Sequence, residues 1–154
     1  MKDMDASRSA LHKRAMSRSS FTTALAIAAW TAVCLIGYGT LTKVQLIYSV
    51  YFKIKPFLFG LNMATWAHVE HAIAFLTLGS LFAMAYPQRT RMVCLIVIGS
   101  AITLELLQTL TPDRHGTLFD ASEKIVAGCV GIAAVRLFQF IRSNAKQPEA
   151  PARS

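Results

Sequence analysis

Four long apolar segments constrain the fold of this sequence more than any other feature. Each is close to the length of about 20 residues that an α-helix needs to cross a hydrocarbon core about 30 Å thick. Backbone amides in lipid find no water to bond, so such segments form helices, whose hydrogen bonds are internal. We therefore predict transmembrane helices over residues 21–41, 67–86, 92–110 and 118–140.

The rest of the chain has the composition of tails and connections. Residues 1–19 and 143–154 are polar and short of large apolar groups, and we predict that both are disordered cytoplasmic tails. The domain between them, 20–142, is predicted to be an all-α membrane bundle of four helices. The connection 42–66 is broken by Lys and Pro, and its aromatic residues suit a membrane interface, either as a short strand or as a helix lying flat.

The net charge of +8 follows the pattern of membrane topology. Basic residues precede the first segment, occupy the turn between the second and third, and follow the fourth. Loops rich in Lys and Arg stay on the cytoplasmic side, so we predict a multi-pass protein of the inner (cytoplasmic) membrane with both termini in the cytoplasm. The same distribution argues against a nucleic-acid partner. The first apolar core exceeds the length typical of a signal peptide, so we interpret it as a retained anchor.

Small residues within the segments are interpreted as packing residues. Cys34, Cys94 and Cys129 lie in separate segments without a metal-binding or redox spacing. Gly79 with Ala83, and Ala127 with Gly131, have the four-residue spacing that lets membrane helices approach closely. The second and fourth segments, which contain these pairs, are therefore predicted to allow a close approach of helices.

Ionisable and polar residues interrupt the last three segments at one level of the predicted bundle. With both termini inside, the second and fourth helices begin, and the third ends, at the outer face. A charged group within a bilayer costs about 2.5–3.5 kcal/mol on insertion scales and usually faces a partner or water. We therefore predict a polar pocket that opens outward. Its candidate ligand-binding residues are His71, Glu105, Gln108, Arg114, Asp120 and Lys124.

Structural roles compete with this interpretation at several of these positions. An ion pair of Glu105 with Arg114 or Lys124 is the alternative to a ligand-binding role for that carboxylate. Asp120 and Lys124 also have the spacing of a helical ion pair, with the acid first.

The start of the fourth segment has a structural alternative too. Thr117 and Asp120 fit a capping box in which Asp replaces Glu, and an acid there is also stabilised by the helix dipole. His68 and Glu70 lie where the start of the second helix meets water. Both interpretations stay open at this point.

The motif HVEH at 68–71 raises the question of a metal site. Two histidines on one helix can hold a metal ion, and Glu105 would add a third ligand. The motif matches neither HExxH nor HxxEH, however, and no cluster of Cys or His supports it. A Gly-rich phosphate loop and a GxSxG nucleophile are also missing from the sequence. We therefore predict no metal and no cofactor.

Two stretches of the chain resemble the VanZ-like family of small membrane proteins. They are HVEHAIAFLTLGSLFAMAYP and ELLQTLTPDRHGTLFDASEKIVAG, and the likeness extends over about 66–133. The resemblance carries the polar positions of the family onto His71, Glu105, Gln108, Arg114 and Asp120. The chain departs from the family pattern at Ala67 and His68, where an Asp-Lys pair is common, at Phe75, where Tyr is common, and at Lys124, where Asn is common.

The resemblance implies a bundle of four or five helices and a role in the cell envelope. Family members are linked to tolerance of teicoplanin-type glycopeptide antibiotics and to envelope polysaccharide, without an assigned reaction. We expect the pocket to bind an anionic lipid or a lipid-linked glycan, with Arg114 on the phosphate, and we expect membrane lipids or envelope-synthesis proteins as partners.

Two other functions remain as alternatives to binding. A membrane enzyme acting on a lipid-linked substrate would use Glu105 and His71 as acid and base. A transporter is disfavoured, because the inner halves of the helices are almost free of charge.

Overall fold

The computed structural model describes residues 2–41, 63–110 and 117–145, and within these ranges it contains α-helices and no strand. The helices are α1 (Lys2–Leu41), α2 (Met63–Ala85), α3 (Thr90–Thr109) and α4 (Leu118–Asn144). Each contains a stretch that is long and apolar enough to cross a membrane: Ser19–Thr40, His68–Ala85, Thr90–Thr109 and Leu118–Asn144. The predicted all-α fold with four transmembrane helices is confirmed, and the chain is a multi-pass membrane protein.

Two helix boundaries differ from the prediction. Helix α1 begins at Lys2, so residues 2–19 are helical where the composition predicts a disordered tail. This segment contains several Ala, Lys, Arg and Met residues, which have high helix propensity and continue the helix beyond its apolar part. Helix α2 begins at Met63, inside the predicted connection. The rest of that connection, 42–62, and the tail from 146 onward lie outside the described residues.

Apolar side chains cover the outside of the bundle as well as its centre. The large side chains Phe75, Leu78, Phe82, Val93 and Val97 are buried in a common core. Large apolar residues also face outward along all four helices, as lipid requires. Helices that are apolar on every side are typical of membrane spans.

Helices α2 and α4 share the most extensive interface, and glycines make it possible. A Cβ atom at Gly79 would overlap the backbone carbonyl of Gly128, and one at Gly131 would overlap the carbonyl of Leu76. The predicted close approach through Gly79 and Gly131 is thus confirmed, with Gly128 as a further contact point. The three cysteines form no disulfide; Cys94 and Cys129 are partly buried, whereas Cys34 is exposed and does not have the predicted packing role.

Helix α1 lies at the edge of the bundle. Among its described side chains only Ala29 and Thr40 are buried. The Trp30 ring packs edge-on against Phe82, with ring centroids 5.3 Å apart and planes at 87°. In the described part of the chain α1 contacts α2 and α3 but not α4.

Arg136 fastens α4 to the turn between α2 and α3. Its guanidinium donates hydrogen bonds to the backbone carbonyl oxygens of Pro87, at 2.7 Å, and Tyr86, at 3.1 Å. The last carbonyls of a helix lack partners within that helix, and the proline ends α2, so the arginine supplies donors from outside. We call this end of the bundle, where α2 ends and α3 begins, the basic end. The opposite end, where α2 and α4 begin and α3 ends, is the polar end.

Candidate polar site at one end of the bundle

A buried ion pair joins α3 to α4 at the polar end. The ammonium group of Lys124 contacts the Oε1 atom of Glu105, and the two side chains are 1% and 8% exposed. Glu105 lies in the last turns of α3, and Lys124 lies in the second turn of α4. Of the two partners predicted for Glu105, Lys124 is confirmed, whereas Arg114 lies outside the described residues. Helical spacing predicts an ion pair between Asp120 and Lys124. In the structure Lys124 pairs with Glu105 instead.

The second oxygen of Glu105 caps the start of α4. Its Oε2 atom accepts a hydrogen bond from the backbone N–H of Thr117 at 3.1 Å. The Thr117 hydroxyl in turn accepts a hydrogen bond from the N–H of Asp120 at 3.1 Å. The predicted capping box is therefore half right. In a capping box the acid three residues into the helix accepts the N-cap amide, and here a side chain from α3 takes that place.

The carboxylate of Asp120 joins a cluster with residues of two helices. The Nδ1 atom of His68 lies 2.7 Å from Oε2 of Glu123 and 3.6 Å from Oδ1 of Asp120. Asp120 and Glu123 are three positions apart, so both face α2 from one side of α4. Their side chains are 26% and 25% exposed, and that of His68 is 43% exposed. We call these three residues the rim triad.

The rim triad was not predicted from the sequence. His68 and Glu123 are 55 positions apart. Residues at the starts of two helices meet only if each helix is rotated about its own axis so that they face each other, and if both helices start at the same depth in the membrane. The sequence places the two starts at one level of the membrane but gives no rotation. A packing contact adds to the arrangement, because the His68 ring meets Phe119 edge-on, with centroids 6.2 Å apart and planes at 85°.

Gln108 is buried but points away from the rim triad. Its side-chain amide donates a long hydrogen bond, 3.5 Å, to the backbone carbonyl of Thr40 in the last turn of α1. The Thr40 hydroxyl donates to the carbonyl of Ile36 at 2.7 Å. Gln108 therefore ties α3 to α1 at the polar end. This contact also puts the first residues of α1 and the last residues of α4 at the same end of the bundle, the basic end.

The remaining candidates differ in how far the structure describes them. His71 is partly buried one turn further along α2 than His68. Arg114 and His115 belong to the connection 111–116 and lie outside the described residues. Their contribution to the site stays a prediction.

The described site thus has two layers with different chemistry. The inner layer is the ion pair, whose opposite charges compensate each other away from solvent, and the two oxygens of Glu105 are both engaged. The outer layer is the rim triad, whose side chains are 25–43% exposed. The inner layer can hold the helices together, and the outer layer can contact a ligand.

The fold and the site define a small multi-pass membrane protein with a cluster of ionisable residues at one end of its bundle. No protein-family model, no curated protein and no solved structure matches this chain significantly. Assignment to the VanZ-like family therefore stays a proposal based on the two sequence stretches.

Proposed function

We propose that this chain is a VanZ-like integral membrane protein of the cell envelope that binds the head group of an anionic lipid or a lipid-linked glycan. The binding site is the polar end of the bundle. One observation carries the proposal: the accessible rim triad lies next to a buried ion pair at the ends of three apolar helices. Ionisable groups in such a position are expensive to insert and usually serve a function.

The geometry favours binding over catalysis by Glu105. A general base must lie within hydrogen-bond reach of the proton that it removes. The Glu105 oxygens already accept from Lys124 and from the N–H of Thr117. The alternative, a membrane enzyme with Glu105 and His71 as acid and base, would need its substrate to reach a carboxylate that is 8% exposed and already paired with Lys124.

The charge distribution supports an outward orientation of the polar end. The described arginines outside the long N-terminal helix, Arg89, Arg91, Arg136 and Arg142, all lie toward the basic end. Lysine and arginine accumulate on the cytoplasmic side of membrane proteins. The rim triad then faces the outside of the inner membrane, where lipid-linked envelope precursors and glycopeptide antibiotics are accessible. A role in envelope polysaccharide handling or in glycopeptide tolerance fits this position.

Arg114 is the group proposed to contact phosphate. It lies three positions before Thr117, the N-cap of α4, in the connection that enters the polar end. A guanidinium matches two phosphate oxygens at once, which a lysine ammonium does not. The carboxylates of the rim triad are suited to sugar hydroxyls, which donate hydrogen bonds to them.

Native mass spectrometry of the purified full chain tests this function. We expect wild-type protein extracted from its membrane to retain an anionic lipid or a lipid-linked sugar, and Arg114→Ala to lose it. Arg91→Ala is the matched control, because it removes the same charge at the basic end. Equal lipid retention by wild type, Arg114→Ala and Arg91→Ala would contradict the proposal.

A further inference from the structure

We propose that the rim triad binds a divalent transition-metal ion, with Zn²⁺ as the ion that fits best. The ligands are Nδ1 of His68 and one carboxylate oxygen each from Asp120 and Glu123. No sequence motif points to this set, which differs from the HVEH pair considered above. The metal site goes beyond the proposed lipid binding and does not depend on it.

The distances between the ligand atoms suit a small cation. The three ligand atoms all lie within 4.8 Å of one another. Zinc binds imidazole nitrogen and carboxylate oxygen at about 2.0–2.2 Å, which places neighbouring ligands of a tetrahedral ion roughly 3.3 Å apart. The observed separations from His68 Nδ1, 2.7 Å to Glu123 and 3.6 Å to Asp120, lie on either side of that value. Small side-chain rotations would complete the site.

The donor set selects the class of metal. Imidazole suits zinc and its neighbours in the first transition row, whereas Mg²⁺ and Ca²⁺ prefer oxygen alone. Three protein ligands leave a fourth position of a tetrahedral ion open for water or another ligand, the arrangement found in reactive rather than structural zinc sites. The 25–43% exposure of the three side chains gives such a ligand access.

The surrounding residues hold the ligands in place before an ion arrives. Phe119 supports the His68 ring from its edge. In a capping box the Asp120 carboxylate would accept a hydrogen bond from the backbone N–H of Thr117. Glu105 accepts that hydrogen bond here, so the Asp120 carboxylate is available to a metal ion. The buried ion pair between Lys124 and Glu105 fixes the first two turns of α4. Because the ligands are preorganised in this way, little conformational entropy is lost on binding.

Charge provides a further reason for a cation at this place. Asp120 and Glu123 carry two negative charges on one helix face, opposite a single imidazole. A divalent ion compensates both charges, so the site becomes a neutral metal centre with one open coordination position. That centre would bind the phosphate of an anionic head group alongside Arg114, a step that rests on the proposed function.

Zinc titration of the full chain tests the metal site directly. Protein in lipid nanodiscs is stripped with a chelator and titrated against a chromogenic zinc indicator, and the bound metal is counted by elemental analysis. We expect one Zn²⁺ per chain. Changes to groups that merely support a ligand cost about 10–100-fold in affinity. Asp120→Asn and Glu123→Gln, which each remove a ligand, should therefore weaken binding by about 100-fold or more.

The controls separate this site from other histidines. His12→Gln, at the opposite end of the bundle, should leave zinc affinity unchanged. Helical content and melting temperature without zinc show whether each variant is folded, and the two isosteric changes should preserve both. The proposal is overturned if wild type binds zinc no more tightly than Asp120→Asn and Glu123→Gln. It is also overturned if His71→Gln alone abolishes binding, which would assign the metal to the HVEH pair.

Lipid retention measured with and without zinc distinguishes the two proposals. If zinc binds at the rim triad and lipid retention does not change, the metal site stands and the proposed contact between the metal ion and the phosphate is wrong. If the lipid is retained equally without zinc and no zinc binds, the lipid function stands and the metal site is wrong.

Discussion

Glu105 accepts the backbone amide of Thr117 at 3.1 Å, so a side chain from α3 caps the helix that follows it in the chain. The same carboxylate neutralises Lys124 one to two turns further into α4. A single acid therefore fixes the start of α4 in two ways. It also leaves Asp120 available to face His68. The buried layer of the site thereby determines the geometry of the accessible layer.

The buried ion pair should contribute strongly to stability only when both partners are present. Lys124→Met leaves the Glu105 carboxylate buried without a counter-charge, which costs about 3–5 kcal/mol. The double variant Glu105→Leu with Lys124→Met removes both charges and should recover most of that loss. Thermal unfolding in detergent, followed by tryptophan fluorescence, gives the comparison.

Arg142→Met is the control for the loss of a positive charge, because Arg142 is exposed at the basic end. Surface changes of this kind stay within about 0.5 kcal/mol. A Lys124→Met protein as stable as wild type, or a double variant no more stable than Lys124→Met, would show that the pair is not a buried stabilising contact.

Helices α2 and α4 cross in close contact at Gly79, Gly128 and Gly131, which we call the glycine crossing. The crossing should not tolerate the addition of even one methyl group. Gly79→Ala and Gly131→Ala each place a carbon against the backbone of the partner helix. Backbone cannot rotate away as a side chain can, so we expect a loss of at least about 1–3 kcal/mol, the cost of overpacking a core. Unfolding in a graded series of denaturing detergent measures it.

Gly99 offers a matched control for this experiment. It lies in α3 with no atom within 4 Å of a Cβ at that position. Because alanine favours a helix over glycine by roughly 0.5–1 kcal/mol, Gly99→Ala should be neutral or slightly stabilising. Equal effects at Gly79 and Gly99 would argue against the close crossing.

Arg136 should be needed for the connection at the basic end. Its replacement by Gln removes the donors to the Tyr86 and Pro87 carbonyls. Hydrogen bonds from a charged donor contribute about 1.5–3 kcal/mol, so we expect a loss in that range. Hydrogen exchange, read by mass spectrometry over 82–91, should become faster in Arg136→Gln. Faster exchange over the whole chain, with no local effect at this turn, would contradict the capping role.

The orientation of the bundle gives a prediction that needs no purified protein. We expect a fluorescent reporter fused after the last residue to fluoresce in the cytoplasm. A periplasmic phosphatase fused within the connection 111–116 should be active, because that connection joins α3 to α4 at the polar end, which we propose to face outward. The opposite pattern would place the rim triad in the cytoplasm and would rule out contact with outer-leaflet precursors.

The four helices were predictable because each carries its own signal. A segment of about 20 apolar residues must be helical in lipid whatever its neighbours are. The Lys124 partner of Glu105 was one of two options, because both candidate cations follow Glu105 closely in the chain. The extension of α1 to Lys2 is different, because the polar composition of residues 2–19 predicts disorder whereas the helix propensity of the same residues favours a helix.

The rim triad was not predictable in the same way. Its existence depends on how α2 and α4 rotate, and that rotation is determined by the glycine crossing. Gly128 and Gly131, three positions apart, bring one face of α4 against Leu76 and Gly79. The same rotation turns Asp120 and Glu123 toward His68. Hydropathy carries no information on this angle, because all sides of a lipid-facing helix are apolar.

The pairing of Glu105 with Lys124 also bears on how the chain is made. Helix α3 is synthesised before α4, so its carboxylate reaches the membrane while its counter-charge is still in the ribosome. An unpaired charge at the centre of a membrane helix costs about 2.5–3.5 kcal/mol on insertion scales, so the Glu105 carboxylate makes the insertion of α3 alone less favourable. Lys124 follows Glu105 by 19 residues. If α3 and α4 enter the lipid together as a hairpin, the carboxylate is already paired and that cost is reduced. We therefore expect α3 to insert more favourably once α4 has been translated.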